Sequence, residues 1–438
     1  MITQKNKELA KWALDFALRN GCSDARISVY AGTNNSFEYR DTQLDKLEQS
    51  SENGMSLQLY VDGRFASYST NRLDKAELEK FILKGIEAAR YLAIDEFRQL
   101  PDPARYYRGT GDLGLSDKEI DSVSVDDKLA LLRENVDEVR GTDNRIISIS
   151  AGYDDGTSGS YAITSNGFEG ESKTTYYSLS TSVSMKGAGD ARPESGWYDS
   201  AIFWNKLQKS GIGKTAYERT LRKLGQEKIE TGVYDMLLDN LSSSRLLSPI
   251  ISAISGSSIQ QKSSFLIDKV GQKIFSDKVN LIDDPHIPNA RGARWFDGEG
   301  VATQRFDVIK DGVLKMYYID TYNGLKLGME PTIQSPSLLR MELGKNDFDG
   351  IMATMKRGIW VTGFNGGNSN PTTGDFSFGI EGFLIEDGKA VKPLNEMNIT
   401  GNLLELWQQV EQVGNDPRLT SSWRIPSLLF KGVNFSGK

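Results

Sequence analysis

Apolar residues near the start of the chain follow two different spacings, one typical of helices and one of strands. Five of them recur every three or four positions and predict one face of a helix: Leu9, Trp12, Ala13, Phe16 and Ala17. Ile27 and Val29 then alternate with polar neighbours, which predicts a strand. Asp62-Gly63 predicts a hairpin turn, and the apolar spacing over residues 73–93 predicts a second helix. The first segment is therefore helix, antiparallel strands, helix.

A second segment begins after a linker that is rich in proline, glycine and tyrosine, at residues 100–114. Helices are predicted around residues 129–139 and 214–224. The residues between them alternate in polarity and contain the turn dipeptides Asp155-Gly156 and Asn166-Gly167. This pattern predicts an antiparallel meander that is interrupted at both dipeptides.

The last 200 residues are dominated by strand patterns with two helical interruptions. Helices are predicted at residues 237–259 and 403–413, where apolar residues share one side. Hairpins are predicted at Gly312 and at Asp387-Gly388, because glycine tolerates the backbone conformation that tight turns need.

These patterns predict an α+β protein with three domains. Residues 1–104 form an N-terminal helix–antiparallel-sheet–helix module, and residues 105–228 form a central α+β module that contains the meander and its flanking helices. Residues 229–438 form a β-rich C-terminal domain. A length of 438 residues agrees with this number of domains.

Composition narrows the classes of function. The net charge of −7 and the pI of about 5.2 argue against direct contact with nucleic acid, which requires a basic surface. No apolar run reaches the ~18 residues of a membrane span, and the first residues contain no apolar signal-peptide core. The single cysteine, Cys22, allows no internal disulfide, so we expect a reducing, cytoplasmic location.

Candidate chemistry is limited because the chain has one histidine, His286. A catalytic zinc site normally uses three protein ligands, most of them histidines. A carboxylate–histidine site is conceivable from His286 with the nearby acids Asp283, Asp284, Asp297 and Glu299. The favoured interpretation is a polar loop around Pro285 and Pro288, followed by a turn at residues 297–300.

Three other motifs carry little chemical signal. Ser255-Gly256-Ser257 is not a Gly-x-Ser-x-Gly nucleophile elbow, and Lys262-Ser263-Ser264 lacks the Ser-x-x-Lys spacing. The glycine-rich residues 363–368 are not followed by a helix or by Gly-Lys-Ser/Thr, so they do not predict a phosphate site. They favour a loop that a peptide or a partner protein approaches closely.

Several motifs, in order along nearly the whole chain, resemble the TldD/PmbA family, whose members are called modulators of DNA gyrase or metallopeptidases. The N-terminal part is Gly54-Met55-Ser56-Leu57-Gln58-Leu59-Tyr60-Val61-Asp62-Gly63-Arg64. The later parts are Asp283-Asp284-Pro285, Phe296-Asp297-Gly298-Glu299-Gly300, Lys310-Asp311-Gly312-Val313-Leu314, Gly363-Phe364-Asn365, Thr373-Gly374-Asp375-Phe376-Ser377 and Ile399-Thr400-Gly401-Asn402-Leu403. Asn365 and Asn402 join the four acids as candidate functional-loop residues on this ground.

The resemblance also separates two kinds of subunit. The TldD kind carries His-Glu-x-x-x-His on a helix and a cysteine ligand near its C-terminus, whereas the PmbA (TldE) kind lacks them. The glycines and serines that follow the motif allow this chain to be aligned with the family. Leu247 and Ser252 then fall near the two histidine positions, and Ser248 falls near the glutamate position. The resemblance therefore implies a PmbA-type subunit without zinc ligands or a bound cofactor.

For such a subunit, the family implies a heteromeric complex with a TldD-type subunit that holds the zinc. The complex processes or degrades unfolded peptides, and a β-rich domain offers strand edges that pair with an extended peptide. The resemblance also allows a homodimer of the isolated chain. Two alternatives stay open: an interaction protein that modulates gyrase or a toxin, and an independent peptidase that uses the carboxylates.

Overall fold

The structure is a computed structural model that describes all residues from 1 to 438. It confirms the predicted α+β class, with helices and strands mixed along the chain. The helices are α1 (Gln4–Arg19), α2 (Lys75–Ala89), α3 (Val125–Asp137), α4 (Ile212–Arg222), α5 (Ser243–Ala253), α6 (Gly256–Gln260), α7 (Thr321–Leu327), α8 (Phe348–Met352) and α9 (Leu403–Gln408). No helix is both long and apolar enough to cross a membrane.

The strands fall into an N-terminal group and a C-terminal group. The first group is β1 (Asp24–Arg40), β2 (Gln43–Val61), β3 (Arg64–Thr70), β4 (Ile146–Thr164), β5 (Glu169–Met185) and β6 (Glu194–Ala201). The second group is β7 (Gly232–Leu238), β8 (Leu281–Asp283), β9 (Phe306–Lys310), β10 (Val313–Leu314), β11 (Leu339–Met341), β12 (Arg357–Ser369), β13 (Asp375–Glu386), β14 (Lys389–Asn402), β15 (Val410–Val413), β16 (Trp423–Arg424) and β17 (Leu428–Ser436).

The two predicted N-terminal modules share one continuous sheet. Its order is β3-β2-β1-β4-β5-β6, and every pair is antiparallel. Ile27 on β1 lies opposite Leu57 of β2 on one side and opposite Ile163 of β4 on the other. The linker after residue 104 therefore divides the chain but does not divide the sheet.

All four N-terminal helices cover the same face of this sheet. Ile27 packs with α1 and α2, while Phe37, which has the same parity on β1, packs with α3 and α4. Alternate residues of a strand point to opposite faces, so the even-numbered residues of β1 and β4 face away from the helices. Many of these are small and polar, including Ser28, Ser158 and Ser160.

The predicted turn at Asp155-Gly156 is wrong, because β4 runs without a break through both residues. Asp155 is fully buried and forms an ion pair with Lys128 of α3, with 2.6 Å between Nζ and Oδ2. Gly156 lies so close to the neighbouring strand that an added Cβ would be 2.2 Å from the Thr33 carbonyl oxygen. Asp155 and Gly156 therefore occur here because of their packing contacts, and not because they form a turn.

The C-terminal domain contains two more sheets. One has the order β10-β9-β8-β11-β16, and the other has the order β14-β13-β12-β7-β17-β15. A single apolar core includes residues from both sheets, with the fully buried Trp407 among them.

Two predicted helices in this domain are partly wrong. Leu237 and Leu238 belong to β7, which lies between β12 and β17, and α5 begins only at Ser243. Likewise α9 ends at Gln408, and Val410 and Val413 pair with β17. A short apolar run has the same pattern in a buried strand as in a buried helix. Only the presence of pairing strands determines which of the two forms.

Candidate functional site

The helix aligned with the family's zinc motif is α5, and its side chains do not fit a metal. Leu247 is fully buried in the C-terminal core, whereas Ser248 is half-buried and Ser252 is exposed. A leucine and two serines supply no imidazole, thiolate or carboxylate, which are the zinc ligands of proteins. Across the whole chain, no group of three or more His, Cys, Asp and Glu side chains is placed to hold a metal ion.

His286 is held by an aromatic and a hydroxyl neighbour. Its ring centroid lies 4.5 Å from that of Trp295, and its Nε2 lies 3.0 Å from the Thr303 hydroxyl. Burial lowers the pKa of His286, which favours the neutral ring. The carboxylate of Asp284 raises that pKa by a smaller amount and forms its own ion pair with Arg340, at 2.9 Å.

Asp283 lies at the end of β8 and is only 1% exposed. Its two oxygens accept the backbone N–H groups of Ser337 and Leu338, at 3.0–3.1 Å, and the Tyr318 hydroxyl at 3.2 Å. Burial raises the pKa of Asp283 to about 6, although these donors and the nearby Arg294 lower it. The side chain connects two loops of the domain and stays ionised above neutral pH.

Asp297 and Glu299 form the turn that the sequence favours. The Asp297 carboxylate accepts the N–H groups of Glu299 and Val301, at 2.9 and 3.0 Å, and that of Gln334 at 3.0 Å. The Glu299 carboxylate accepts the N–H and the hydroxyl of Thr321, at 3.0 and 3.1 Å. Both acids therefore organise local loops of the C-terminal domain.

This turn also joins the C-terminal domain to the N-terminal sheet. Arg26 of β1 donates to the Glu299 carbonyl at 2.7 Å, and its guanidinium lies 5.5 Å from the centre of the Phe168 ring. Burial, together with the charges of Asp297 and Asp320, raises the pKa of Glu299 to about 7, although the hydrogen bonds from Thr321 lower it. A carboxyl group at the contact between two domains thus titrates near neutral pH.

We expect stability to fall as the pH rises from about 5 to about 7, because Glu299 loses its proton more readily in the unfolded chain. An acid whose pKa is higher in the folded state binds more protons there, so deprotonation favours unfolding. Glu299→Gln keeps an acceptor for Thr321 and removes the charge. Thermal unfolding of both proteins at pH 5 and pH 8 measures the effect. The variant should lose less stability between these two values than the wild type. An equal loss in both proteins would refute the role of Glu299.

The remaining candidates lie elsewhere. Asn402 caps α9 by accepting the Leu404 N–H at 3.0 Å, and its amide donates to the Thr373 carbonyl at 2.9 Å. Asn365 donates to the Asn395 side chain at 2.9 Å on the surface of the last sheet. The structure thus places Glu299 and Asp297 at the domain contact, and Asp283 inside the C-terminal domain, where it and Asp297 both lie near Arg294. The two asparagines lie apart from them.

A large groove, which the sequence did not predict, opens between the N-terminal sheet and the C-terminal domain. Its volume is about 1230 Å³. One side is formed by the polar face and the edge of the sheet, including Ser28, Ser160 and residues 171–176. Opposite lie residues 291–298 and the segment around Trp423. The alternating serines of β4 and β5 indicate a polar face of the sheet. The sequence near them does not indicate that the C-terminal domain lies opposite this face.

Comparison with known proteins agrees with this architecture. Three sequence profiles match the chain: PmbA/TldA metallopeptidase domain 1 at residues 25–89, the central domain at residues 118–224, and the C-terminal domain at residues 231–437. Metalloprotease PmbA of Escherichia coli O157:H7 is 27% identical over 436 residues, which is 99% of this chain and 96% of that protein. Metalloprotease TldD homolog of Haemophilus influenzae is 32% identical over 173 residues, 36% of each chain.

Solved structures show the same fold. A crystal structure from Bacteroides thetaiotaomicron, named a modulator of DNA gyrase, is 55% identical, covers 100% of both chains and has a TM-score of 0.98. TldE from Thermococcus kodakarensis has a TM-score of 0.86 at 20% identity, with 98% of this chain and 100% of that chain covered. The chain belongs to the TldD/PmbA family of metallopeptidase-like proteins.

Proposed function

We propose that this chain is the subunit of a TldD/PmbA-type peptidase complex that carries no zinc, and that a TldD-type subunit supplies the metal. The observation that carries the proposal is the chemistry of α5, where Leu247, Ser248 and Ser252 occupy the positions aligned with the zinc motif. The similarity to a PmbA over almost the full length of both chains supports the PmbA kind of subunit.

The substrate that we propose is unfolded polypeptide, processed or degraded in the cytoplasm. The chain contributes a groove about 1230 Å³ in volume, above the ~300–1,000 Å³ of small-molecule sites. The single cysteine, Cys22, is compatible with a reducing compartment, because the chain forms no internal disulfide.

Reconstitution tests this function. The chain is mixed with a TldD-type protein from the same genome, and complex formation is followed by size-exclusion chromatography. Cleavage of an unfolded protein such as reduced, carboxymethylated lactalbumin is then measured. We expect stoichiometric zinc and cleavage in the mixture, and loss of both when the partner's motif histidines are replaced by alanine. Ser248→Ala and Ser252→Ala in this chain should leave zinc content unchanged, and loss of zinc in either variant would contradict the proposal.

A second function has support in the names of solved relatives, which include modulators of DNA gyrase. An interaction protein of that kind would bind gyrase without a peptidase partner. Affinity purification from cells separates the two functions. Recovery of gyrase without any TldD-type protein would favour the second, whereas recovery of a TldD-type protein supports the first.

A further inference from the structure

One wall of the groove is an open strand edge. β6 pairs with β5 only from Tyr177 onward, so the first part of β5 has no strand on that side. Within this part, the Thr175 N–H donates to the Leu115 carbonyl at 3.0 Å, which shows that Thr175 turns its backbone groups away from β4. The backbone N–H and C=O groups of successive residues point to opposite sides of a strand. Those of Glu171 and Lys173 therefore point outward, as those of Thr175 do.

These outward groups have no partner in the protein. No backbone hydrogen bond outside the regular strand pairing involves the N–H or C=O of Glu171 or Lys173, and both residues are exposed. Unpaired groups on a strand edge are a template for another extended chain. The hydrogen bond from Thr175 to Leu115 shows that the outward groups of this edge can pair with another segment of chain.

The same sheet has a second edge with unpaired backbone groups. β3 pairs with β2 only from Met55 onward, so residues 43–54 of β2 are also unpaired on one side. Charged side chains discourage pairing between sheets, and both open edges carry them. They are Asp45, Lys46, Glu48 and Glu52 on β2, and Glu169, Glu171 and Lys173 on β5. The β5 edge differs in its surroundings, because it lies in a groove beside the C-terminal domain.

The groove also contains positive charge without partners. Lys206 and Arg291 line it, and neither has a carboxylate within 4.0 Å, whereas the protein as a whole carries −7. Arg26, Lys173 and Arg294 are further cations of the lining. The lining also carries the acids Asp112, Glu171 and Asp297, so its charge is positive on balance. Glu171 already forms an ion pair with Lys7. Cations in a concave site attract acidic ligands and raise their local concentration.

We propose that this groove binds an extended, acidic segment of unfolded polypeptide, which pairs with the β5 edge at Glu171 and Lys173. The choice of polypeptide rests on the proposed function. Hydrogen bonds to the ligand's main chain tolerate many sequences, because every residue except proline offers the same groups. Lys206 and Arg291 then select acidic side chains among these sequences.

Backbone methylation of the ligand tests the strand pairing directly. The probe is a fluorescein-labelled octapeptide of alternating glutamate and serine, and its binding to the full-length chain is measured by fluorescence anisotropy. The same peptide with every amide N-methylated lacks main-chain donors. We expect it to bind about tenfold more weakly or worse, since it loses several hydrogen bonds. A lysine–serine octapeptide should also bind more weakly. Equal binding of the methylated and unmethylated acidic peptides overturns the proposal.

A proline on the edge provides the matching change in the protein. Lys173→Pro removes an outward N–H without removing a bond to β4, and Lys173→Ala removes only the side chain. Binding should be about tenfold weaker in the proline variant than in the alanine variant. Equal affinities in two folded variants overturn the proposal. If the proline variant does not fold, the methylated peptide decides alone. Binding of oligothymidylate in place of the acidic peptide would also overturn it.

The outcome can be separated from that of the proposed function. Groove binding is measured on the chain alone, whereas cleavage is measured on the reconstituted pair. If the acidic peptide binds but no TldD-type protein associates, the groove assignment stands and the proposed function fails. If the pair cleaves unfolded protein but the peptide does not bind this edge, only the groove assignment is overturned.

Discussion

Asp283→Ala should lower the free energy of unfolding by about 3 kcal/mol at pH 8. The carboxylate is 1% exposed and accepts the N–H groups of Ser337 and Leu338 and the Tyr318 hydroxyl. Removing it leaves these donors buried without acceptors, and each such donor costs about 1–3 kcal/mol. At pH 8 the group is ionised, since its pKa is about 6.

The neighbouring acid is the control. Asp284 is more exposed and has one ion pair, with Arg340. Asp284→Ala should cost less than about 1 kcal/mol, which is typical of exposed ion pairs. Urea unfolding followed by tryptophan fluorescence measures both variants. If Asp283→Ala unfolds at the same urea concentration as Asp284→Ala, the donors around Asp283 do not depend on it.

Lys128→Met should destabilise the protein by about 3–5 kcal/mol, because it leaves a buried charge without its partner. The Asp155 side chain is fully buried and also accepts from Asn35 at 2.6 Å and from the Tyr153 hydroxyl at 2.7 Å. The Lys128 ammonium lies 5.7 Å from the ring centres of both Phe37 and Tyr153. The pair therefore connects α3 to the middle of the sheet.

A double-mutant cycle isolates this ion pair. Lys128→Met combined with Asp155→Leu removes both charges and should be less destabilising than the sum of the single changes. Lys278→Met breaks the exposed pair with Glu411 and should cost less than about 1 kcal/mol. Additive effects of the two buried changes in urea unfolding would show that the charges do not stabilise each other.

The sequence predicted those elements best whose contacts are local. The helix around Trp12 and the hairpin at Asp62-Gly63 depend on neighbours a few residues away, and the structure contains both. Asp155-Gly156 and Leu237 were assigned wrongly because partners far along the chain determine them. Thr33 lies against Gly156, and β12 and β17 flank Leu237.

The candidate site shows the same division. The acids at residues 283, 297 and 299 were recognised as a group, and the turn at Asp297 was favoured from its glycines alone. Their partners could not be predicted, because Ser337 is 54 residues from Asp283 and Arg26 is 273 residues from Glu299. The groove was missed for the same reason, since each wall comes from a different domain and its shape depends on their packing.

The zinc content of the purified chain tests the central claim most directly. The full-length protein is prepared without chelators, its zinc is measured by mass spectrometry, and its cleavage of unfolded protein is assayed in the same sample. We predict zinc far below one ion per chain and no cleavage until a TldD-type subunit is added. One zinc ion per chain together with cleavage by the chain alone would contradict the claim that the metal belongs to the partner.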